Sequence, residues 1–367
     1  MVAYFLAYIT VLLSALVISR TDRSYSIVQS GSIIRGFNTK LFVIFIALVL
    51  SFIGGCRYYV GSDYSPYYAD YKQYASIFYQ RLISLDEPGV PLVFWIATLF
   101  KDDPAVCIFL AAALTVILLI RTFYKFSDDL CLSLILYVFV IWHTSFNGIR
   151  QALAVAVFFC AYASLKNKNL KAFFLVAFLA FLFHKSVVPF ITLYFIVNRK
   201  VNKKNIIIMI AGTIVLLYSY ARIYSFMGIV MDKEAYYLNY SATSTNYLSR
   251  SVNTLRVVFE SFPAAFFLFK YKELTFYEIE KEKLDFNINL LVVHAAVALA
   301  TSGSAYMARM SLYTMPFAVM AISTLMSYLK KDRQFFTFVF IVVFAFFGCY
   351  EVGHSARLIP FHWIWER

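Results

Sequence analysis

Repeated long apolar stretches are the feature that most limits how this chain can fold. A membrane-spanning helix needs about 20 mainly apolar residues, with about 17–25 tolerated. The 367-residue sequence contains twelve stretches near that length, and it is 62% apolar and only 14% charged. Soluble domains are roughly 45–50% apolar and about 25% charged, so a water-soluble fold is excluded. We therefore predict an all-α polytopic integral membrane protein, a single multi-spanning domain over 1–367. The predicted transmembrane helices lie near 3–19, 41–56, 104–120, 129–145, 149–165, 170–184, 186–198, 205–221, 253–269, 287–302, 307–329 and 334–350.

A thirteenth apolar run, 88–100, is shorter and begins Pro-Gly-Val-Pro. A run of that length is more typical of a re-entrant or interfacial helix than of a span. The distribution of Lys and Arg supports this interpretation, because cytoplasmic loops carry the excess of basic residues. The clusters of Lys and Arg all lie on the cytoplasmic side of the membrane only if 57–103 forms a single external region. We expect a second external loop at 222–252.

The net charge of +13 is therefore interpreted as a signal of membrane topology. The basic residues form no stripe typical of nucleic-acid binding, so we expect no nucleic-acid partner. The five cysteines show no C-x-x-C spacing, and neither H-E-x-x-H nor a nucleotide-binding G-x-x-x-x-G-K-[ST] occurs. These patterns argue against a zinc site, a metal-dependent hydrolase and a nucleotide-driven pump.

An arginine and a carboxylate lie close together at the start of the predicted external region. Arg57 follows an apolar span directly, Asp63 comes six residues later, and Tyr64 opens a tyrosine-rich stretch. The planar guanidinium suits phosphate oxygens, the carboxylate could activate a hydroxyl, and aromatic rings suit carbohydrate. Asp70 is a second candidate base. The alternative is an aromatic belt at the membrane interface with an arginine anchor.

A second group of polar residues lies at a predicted external turn, 142–151. Arg150 opens an apolar helix, where the helix dipole disfavours a cation and a bound anion would relieve the cost. We therefore favour anion binding for Arg150. Asn147 is placed to cap the same helix, which we favour over ligand contact, and Gly148 allows a tight turn.

Other ionisable residues lie in or beside the predicted spans. His184, at a two-helix turn, is either a structural hydrogen-bonding residue or a group that contacts phosphate or shuttles a proton. Arg256 and Glu260 are one helical turn apart, which indicates an ion pair, although the pair could also line a cavity. Arg309 is a further candidate for a buried cation, and His294 is expected to make a polar contact between helices.

Three stretches resemble the EpsG-like branch of the Wzy polysaccharide polymerases, in order and in spacing. They are Arg-x-x-Val-Gly-Ser-Asp-Tyr at 57–64, Phe-Asn-Gly-Ile-Arg-Gln-Ala-Leu-Ala at 146–154 and Phe-His-Lys-Ser at 183–186. The last third of the chain carries no matching motif, so Arg256 and Arg309 rest on the physical argument alone.

The resemblance implies a glycosyltransferase of the GT-C type in the bacterial cytoplasmic membrane. Its substrates would be oligosaccharide repeat units on undecaprenyl pyrophosphate, joined on the external face without a nucleotide sugar, a cofactor or a metal. Membrane lipid, a chain-length regulator and a flippase of the same pathway are the partners that it implies.

The mechanistic hypothesis assigns roles to residues of these stretches. Asp63 is the general base, Arg150 neutralises the departing pyrophosphate, and His184 orients the pyrophosphate or the sugar, so these three are the predicted catalytic residues. The predicted substrate-binding residues are Arg57, Tyr64, Asn147, Gln151, Arg256 and Arg309.

Three alternatives stay open at this point. A flippase for lipid-linked oligosaccharides should place its cations along a cavity open to both sides, whereas these candidates gather at one face. A glycan ligase would need the same arginine-rich pyrophosphate site. A membrane protein that only recruits assembly partners could also present an external Tyr/Arg surface.

Overall fold

The computed structural model describes residues 1–21, 27–29, 32–230, 254–276, 280–302, 305–329, 331–354 and 358–367. The chain divides into two compact units. The first consists of Met1–Val188 with Lys330–Arg367, and the second is Pro189–Leu329. The assignment of 1–367 to a single membrane domain stays a prediction.

The first unit is helical, with two short hairpins. Helices are numbered along the whole chain, and those of this unit are α1 (Val2–Thr21), α2 (Phe37–Gly55), α3 (Tyr64–Ala69), α4 (Tyr71–Ser76), α5 (Phe78–Ser84), α6 (Gly89–Phe100), α7 (Pro104–Phe126), α8 (Leu130–Tyr137), α9 (Ile149–Phe159), α10 (Tyr162–Lys166), α11 (Leu170–Phe181) and α19 (Arg333–His354). Strand β1 (Ile27–Gln29) pairs antiparallel with β2 (Ser32–Ile34), and β3 (Arg57–Tyr58) pairs antiparallel with β4 (His362–Trp363). The chain between α8 and α9 forms a π-helix, Val138–Trp142, and a 3-10 helix, His143–Phe146.

The second unit is also helical in its described part. After the 3-10 helix Lys185–Thr192 come α12 (Leu193–Ile196), α13 (Lys203–Val230), α14 (Thr254–Phe269), α15 (Tyr271–Phe276), α16 (Lys281–Ala300), α17 (Ala305–Ala308), the 3-10 helix Arg309–Tyr313 and α18 (Met315–Tyr328). Helix α13 continues through Val230, so the loop predicted at 222–252 begins no earlier than residue 231. The rest of that loop lies outside the described residues.

Six helices in the described part of the chain are long and apolar enough to cross a membrane. They are Val2–Arg20, Phe37–Gly55, Pro104–Phe126, Lys203–Tyr220, Lys281–Ala300 and Arg333–His354. Further apolar helices are shorter, and some predicted spans are interrupted. The outer faces of the long helices expose large apolar side chains, such as Leu48 on α2 and Phe338 on α19, which suits lipid contact. The all-α, multi-pass membrane fold is therefore confirmed.

The predicted region 57–103 folds as the short helices α3 to α6. Helix α6 is 12 residues long, which confirms a helix too short to be an ordinary span at 88–100. It packs on α4 and α7 and buries Val90, Phe94 and Ala97. Helix α7 then begins at Pro104, where the Asp103 side chain accepts a hydrogen bond from the N–H of Ala105 at 2.9 Å, an ordinary N-cap.

Candidate functional site

The loop before α3 docks on the turn before α9. Gly61 and Gly148 have φ of +102° and +113°, a region that favours glycine, and a Cβ on Gly61 would overlap the carbonyl oxygen of Phe146. The Asn147 side-chain oxygen accepts a hydrogen bond from the backbone N–H of Ser62 at 2.6 Å and lies 3.2 Å from the Ser62 hydroxyl oxygen. The predicted helix cap by Asn147 is wrong: Gly148 is the N-cap of α9, without a side-chain cap, because the Asn147 amide is engaged by the other loop.

This docking places Asp63 beside the start of α9. A Cβ built on Gly148 would lie 3.8 Å from Oδ2 of Asp63 and 3.8 Å from Oε1 of Gln151. The Asp63 side chain is half-buried, and its Oδ1 accepts a hydrogen bond from the Ser62 hydroxyl at 3.0 Å. Gln151 is buried. The predicted base and one predicted substrate-binding residue therefore border the same turn.

Arg150 lies in the first turn of α9 and is held by two groups. Its Nε donates to the hydroxyl of Tyr67 at 2.9 Å, and its Nη1 donates to Oε2 of Glu87 at 2.9 Å. Burial raises the pKa of Tyr67, so its phenol stays neutral beside the cation. The Arg150 side chain is 31% exposed, and its Nη2 has no hydrogen-bond partner within the described residues. Nη2 of Arg150 is thus available to an anion.

Glu87 lies in the turn between α5 and α6, and its side chain is 9% exposed. Besides Arg150, Glu87 binds the turn that follows α11. Its Oε1 accepts hydrogen bonds from Nδ1 of His184 at 2.7 Å and from the backbone N–H of Lys185 at 2.9 Å. Burial of the Glu87 carboxyl opposes ionisation, but the His184 hydrogen bond and charge, the Arg150 guanidinium and the Lys185 N–H lower its pKa to about 2. Glu87 is therefore an anion at neutral pH.

The contact with Glu87 also shows which atom of His184 faces the carboxylate. An ionised carboxylate can only accept hydrogen bonds, so Nδ1 of His184 carries a hydrogen. Its Nε2 has no hydrogen-bond partner in the described part of the chain, and the side chain is 22% exposed. Lys185, next in the chain, pairs through its ammonium with Asp86. Two of the predicted catalytic residues, Arg150 and His184, thus share one carboxylate.

Arg57 and Tyr64 lie at the two ends of the loop before α3, and both side chains are buried. Arg57 is 2% exposed and donates to the carbonyl oxygens of Gly54 and Val60, with its guanidinium 4.6 Å from the ring centre of Phe146. Within the described residues no carboxylate forms an ion pair with it. Burial lowers its pKa to about 10, so it remains a cation at neutral pH. Tyr64 is fully buried and stacks on Tyr68 with ring centres 5.4 Å apart. In this arrangement Arg57 and Tyr64 pack inside the protein, and Arg57 binds the backbone of the loop.

The other candidates lie elsewhere. Asp70, between α3 and α4, is exposed. Arg256 and Arg309 belong to the second unit. There the predicted ion pair is confirmed, because Nε of Arg256 donates to Oε1 of Glu260 at 2.8 Å. The predicted polar contact of His294 between helices is confirmed as well: its Nδ1 lies 2.8 Å from the hydroxyl oxygen of Thr314, which directly precedes α18.

Glu87 is the functional candidate that sequence reasoning missed. It stands in the stretch Asp-Glu-Pro-Gly at 86–89, directly before the short apolar run that begins at Pro88, and we assigned it no role from the sequence. The available signal was an acidic pair on the predicted external side, where Arg150 and His184 were also expected. Glu87 is 63 residues from Arg150 and 97 from His184 along the chain, so no local pattern joins them.

Comparison with known proteins gives one match. A sequence model of the EpsG family matches residues 40–363, a range that includes every residue of the site just described. No curated protein matches the chain, and no solved structure matches it.

Proposed function

Because this chain belongs to the EpsG family, whose members have a polysaccharide polymerase-like, glycosyltransferase role, we propose the following specific activity. The protein joins oligosaccharide repeat units carried on undecaprenyl pyrophosphate, on the outer face of the bacterial cytoplasmic membrane. It uses no nucleotide sugar and is of the GT-C type. The growing glycan passes from its lipid pyrophosphate to the free sugar end of the next lipid-linked unit.

The observation that carries this proposal is the pair of cationic and polar donors around Glu87. Arg150 keeps Nη2 available, the imidazolium form of His184 offers Nε2–H as a second donor, and both side chains are partly exposed. A pyrophosphate presents several oxygens that accept hydrogen bonds, and the N–H groups of Nη2 can donate to them. The arrangement is thus suited to hold a pyrophosphate at the surface of the first unit.

The chemistry then needs a base for the acceptor sugar. In the transfer the bond between the anomeric carbon and the pyrophosphate oxygen breaks, and a bond to the acceptor hydroxyl oxygen forms. We assign the hydroxyl proton to Asp63, which is half-buried at the turn beside α9. The pyrophosphate leaves with its electron pair, and Arg150 stabilises the charge that develops. A base and an electrostatic clamp each contribute about 100-fold or more to such reactions.

The remaining residues have supporting roles in the proposal. Asn147 and Gln151 keep the Asp63 loop and the start of α9 together, and Arg57 and Tyr64 pack beneath that loop. Arg256 and Arg309 remain proposed substrate-binding residues. A chain-length regulator and a flippase are proposed protein partners.

The test is reconstitution of the purified protein in proteoliposomes with a defined lipid-linked repeat unit. A ladder of products that differ by one repeat supports a polymerase. A single transfer to another acceptor indicates a ligase, and movement of the lipid across the bilayer without a new glycosidic bond indicates a flippase; either result would overturn the proposal. Arg150→Ala should abolish the ladder, whereas Lys72→Ala, which removes an exposed cation of the same region, should leave it intact.

A further inference from the structure

Glu87 has no role in the reaction as proposed so far, although it is the group to which Arg150 and His184 both bind. We propose that Glu87 is a positioning residue: it holds His184 by its Nδ1–H and Arg150 by Nη1, so that the Nε2–H of the His184 imidazolium and the Nη2–H groups of Arg150 are directed to the pyrophosphate. This inference rests on the proposed function, since it names how that site is held in its working geometry.

The hydrogen-bond count around Glu87 requires a carboxylate. Three donors surround its two oxygens: the Nδ1–H of His184, the backbone N–H of Lys185 and the Nη1–H of Arg150. A carboxylate offers only acceptors and satisfies all three. The isosteric amide of a glutamine offers one acceptor oxygen and one NH₂ group, so it would turn a donor towards one of these donors. A glutamine of the same shape therefore cannot accept all three hydrogen bonds.

The backbone at Glu87 is also held in a conformation that side-chain-bearing residues rarely adopt. Its φ is +52°, in the left-handed region, and such geometry persists only where the surroundings enforce it. The enforcing contacts come from the turn that carries His184: the N–H of Gly89 donates to the carbonyl of Leu182 at 2.8 Å. A Cβ on Gly89 would lie 2.6 Å from the ring of Phe183. The turn at 85–89 is thus built against the turn at 182–185.

Glu87 acts through its neighbours rather than on the substrate. Its side chain is only 9% exposed, and both oxygens already accept hydrogen bonds from the protein. The free donor atoms of the cluster belong to Arg150 and His184. This distinguishes Glu87 from Asp63, which remains the proposed base.

The chain offers a matched set of variants. Glu87→Gln keeps the shape and removes the charge, whereas Glu87→Asp keeps the charge and shortens the reach. Asp86→Asn removes one negative charge from the adjacent residue, which pairs with the Lys185 ammonium. Groups that orient a functional side chain typically contribute 10–100-fold to activity. We expect Glu87→Gln to lose about 10–100-fold in polymerisation rate, Glu87→Asp to lose less, and Asp86→Asn to match the wild type.

The second readout is independent of turnover. In protein labelled with ¹⁵N-histidine, and with His184→Gln used for assignment, the wild type should show His184 with a protonated Nδ1. Glu87→Gln should lose the preference for a hydrogen on Nδ1, and inorganic pyrophosphate should produce a ring with hydrogen on both nitrogens in the wild type more than in that variant. The inference is overturned if wild-type His184 carries no hydrogen on Nδ1. It is also overturned if the polymerisation rate of Glu87→Gln equals that of the wild type or exceeds that of Glu87→Asp.

The two proposals fail in distinguishable ways. If the wild type makes no polymer but the histidine signals and the effect of pyrophosphate on them appear as expected, the polymerase proposal is wrong and the positioning by Glu87 stands for another pyrophosphate reaction. If the wild type polymerises and Glu87→Gln has wild-type rate and signals, only the inference about Glu87 is wrong.

Discussion

Because the pKa of Glu87 is low, the free energy of unfolding of the protein should decrease as the pH falls through the acidic range. Its pKa is about 2 in the folded protein against 4.5 for an ordinary glutamate. A lowered carboxylate pKa contributes stability that is complete above the unfolded-state value and is lost as the pH falls towards the folded-state value. At about 1.4 kcal/mol per pH unit, the contribution is about 3 kcal/mol at pH 6 and falls by about 2 kcal/mol by pH 3.

Comparison with Glu87→Gln isolates this contribution from that of all other carboxylates. The free energy of unfolding is measured in mixed detergent micelles by SDS titration, for both proteins, between pH 6 and pH 3. The gap between the wild type and Glu87→Gln should narrow by about 2 kcal/mol over this range, while the gap between the wild type and Asp86→Asn should change much less. Parallel curves for the wild type and Glu87→Gln would refute the electrostatic account of the cluster.

Three further predictions concern residues around the same turn. Arg150→Lys should lower polymer synthesis by about 10–100-fold in the reconstituted assay without loss of folded protein, because one ammonium cannot bind Tyr67, Glu87 and a phosphate in the same geometry. Asp63→Asn should abolish polymer while the protein still accumulates in the membrane, as judged by immunoblot; polymer of normal length would contradict its role as the base. Gly61→Ala should lower the free energy of unfolding by about 1–3 kcal/mol in the SDS titration, because the methyl group meets a main-chain carbonyl at positive φ.

Much of the fold could be predicted because it follows from the length of each apolar stretch in the sequence. Each of the twelve predicted spans coincides with helix in the described residues, and 88–100 is a short helix. The interruptions could not be predicted, because they depend on tertiary contacts. The break after α8 is an example: there the indole of Trp142, at the end of the π-helix, donates to the carbonyl of Leu50 on α2, 92 residues earlier.

The candidate site was predictable in part. Arg150 and His184 were chosen because a cation or imidazole beside an apolar helix needs a partner, and the structure brings them to one carboxylate. The identity of that carboxylate depended on the docking of two turns far apart in sequence. The burial of Arg57 could not be foreseen either, since an arginine after a span looks the same in sequence whether it binds a ligand or the carbonyls of its own loop.

The most direct test of the account is an experimental structure of the protein in a lipid nanodisc with a non-hydrolysable bisphosphonate analogue of the lipid-linked repeat unit. We predict phosphonate oxygens within about 3 Å of Nη2 of Arg150 and Nε2 of His184, with the contacts of Glu87 unchanged. Phosphonates bound away from α9, with Arg150 and His184 still open to solvent, would contradict the account.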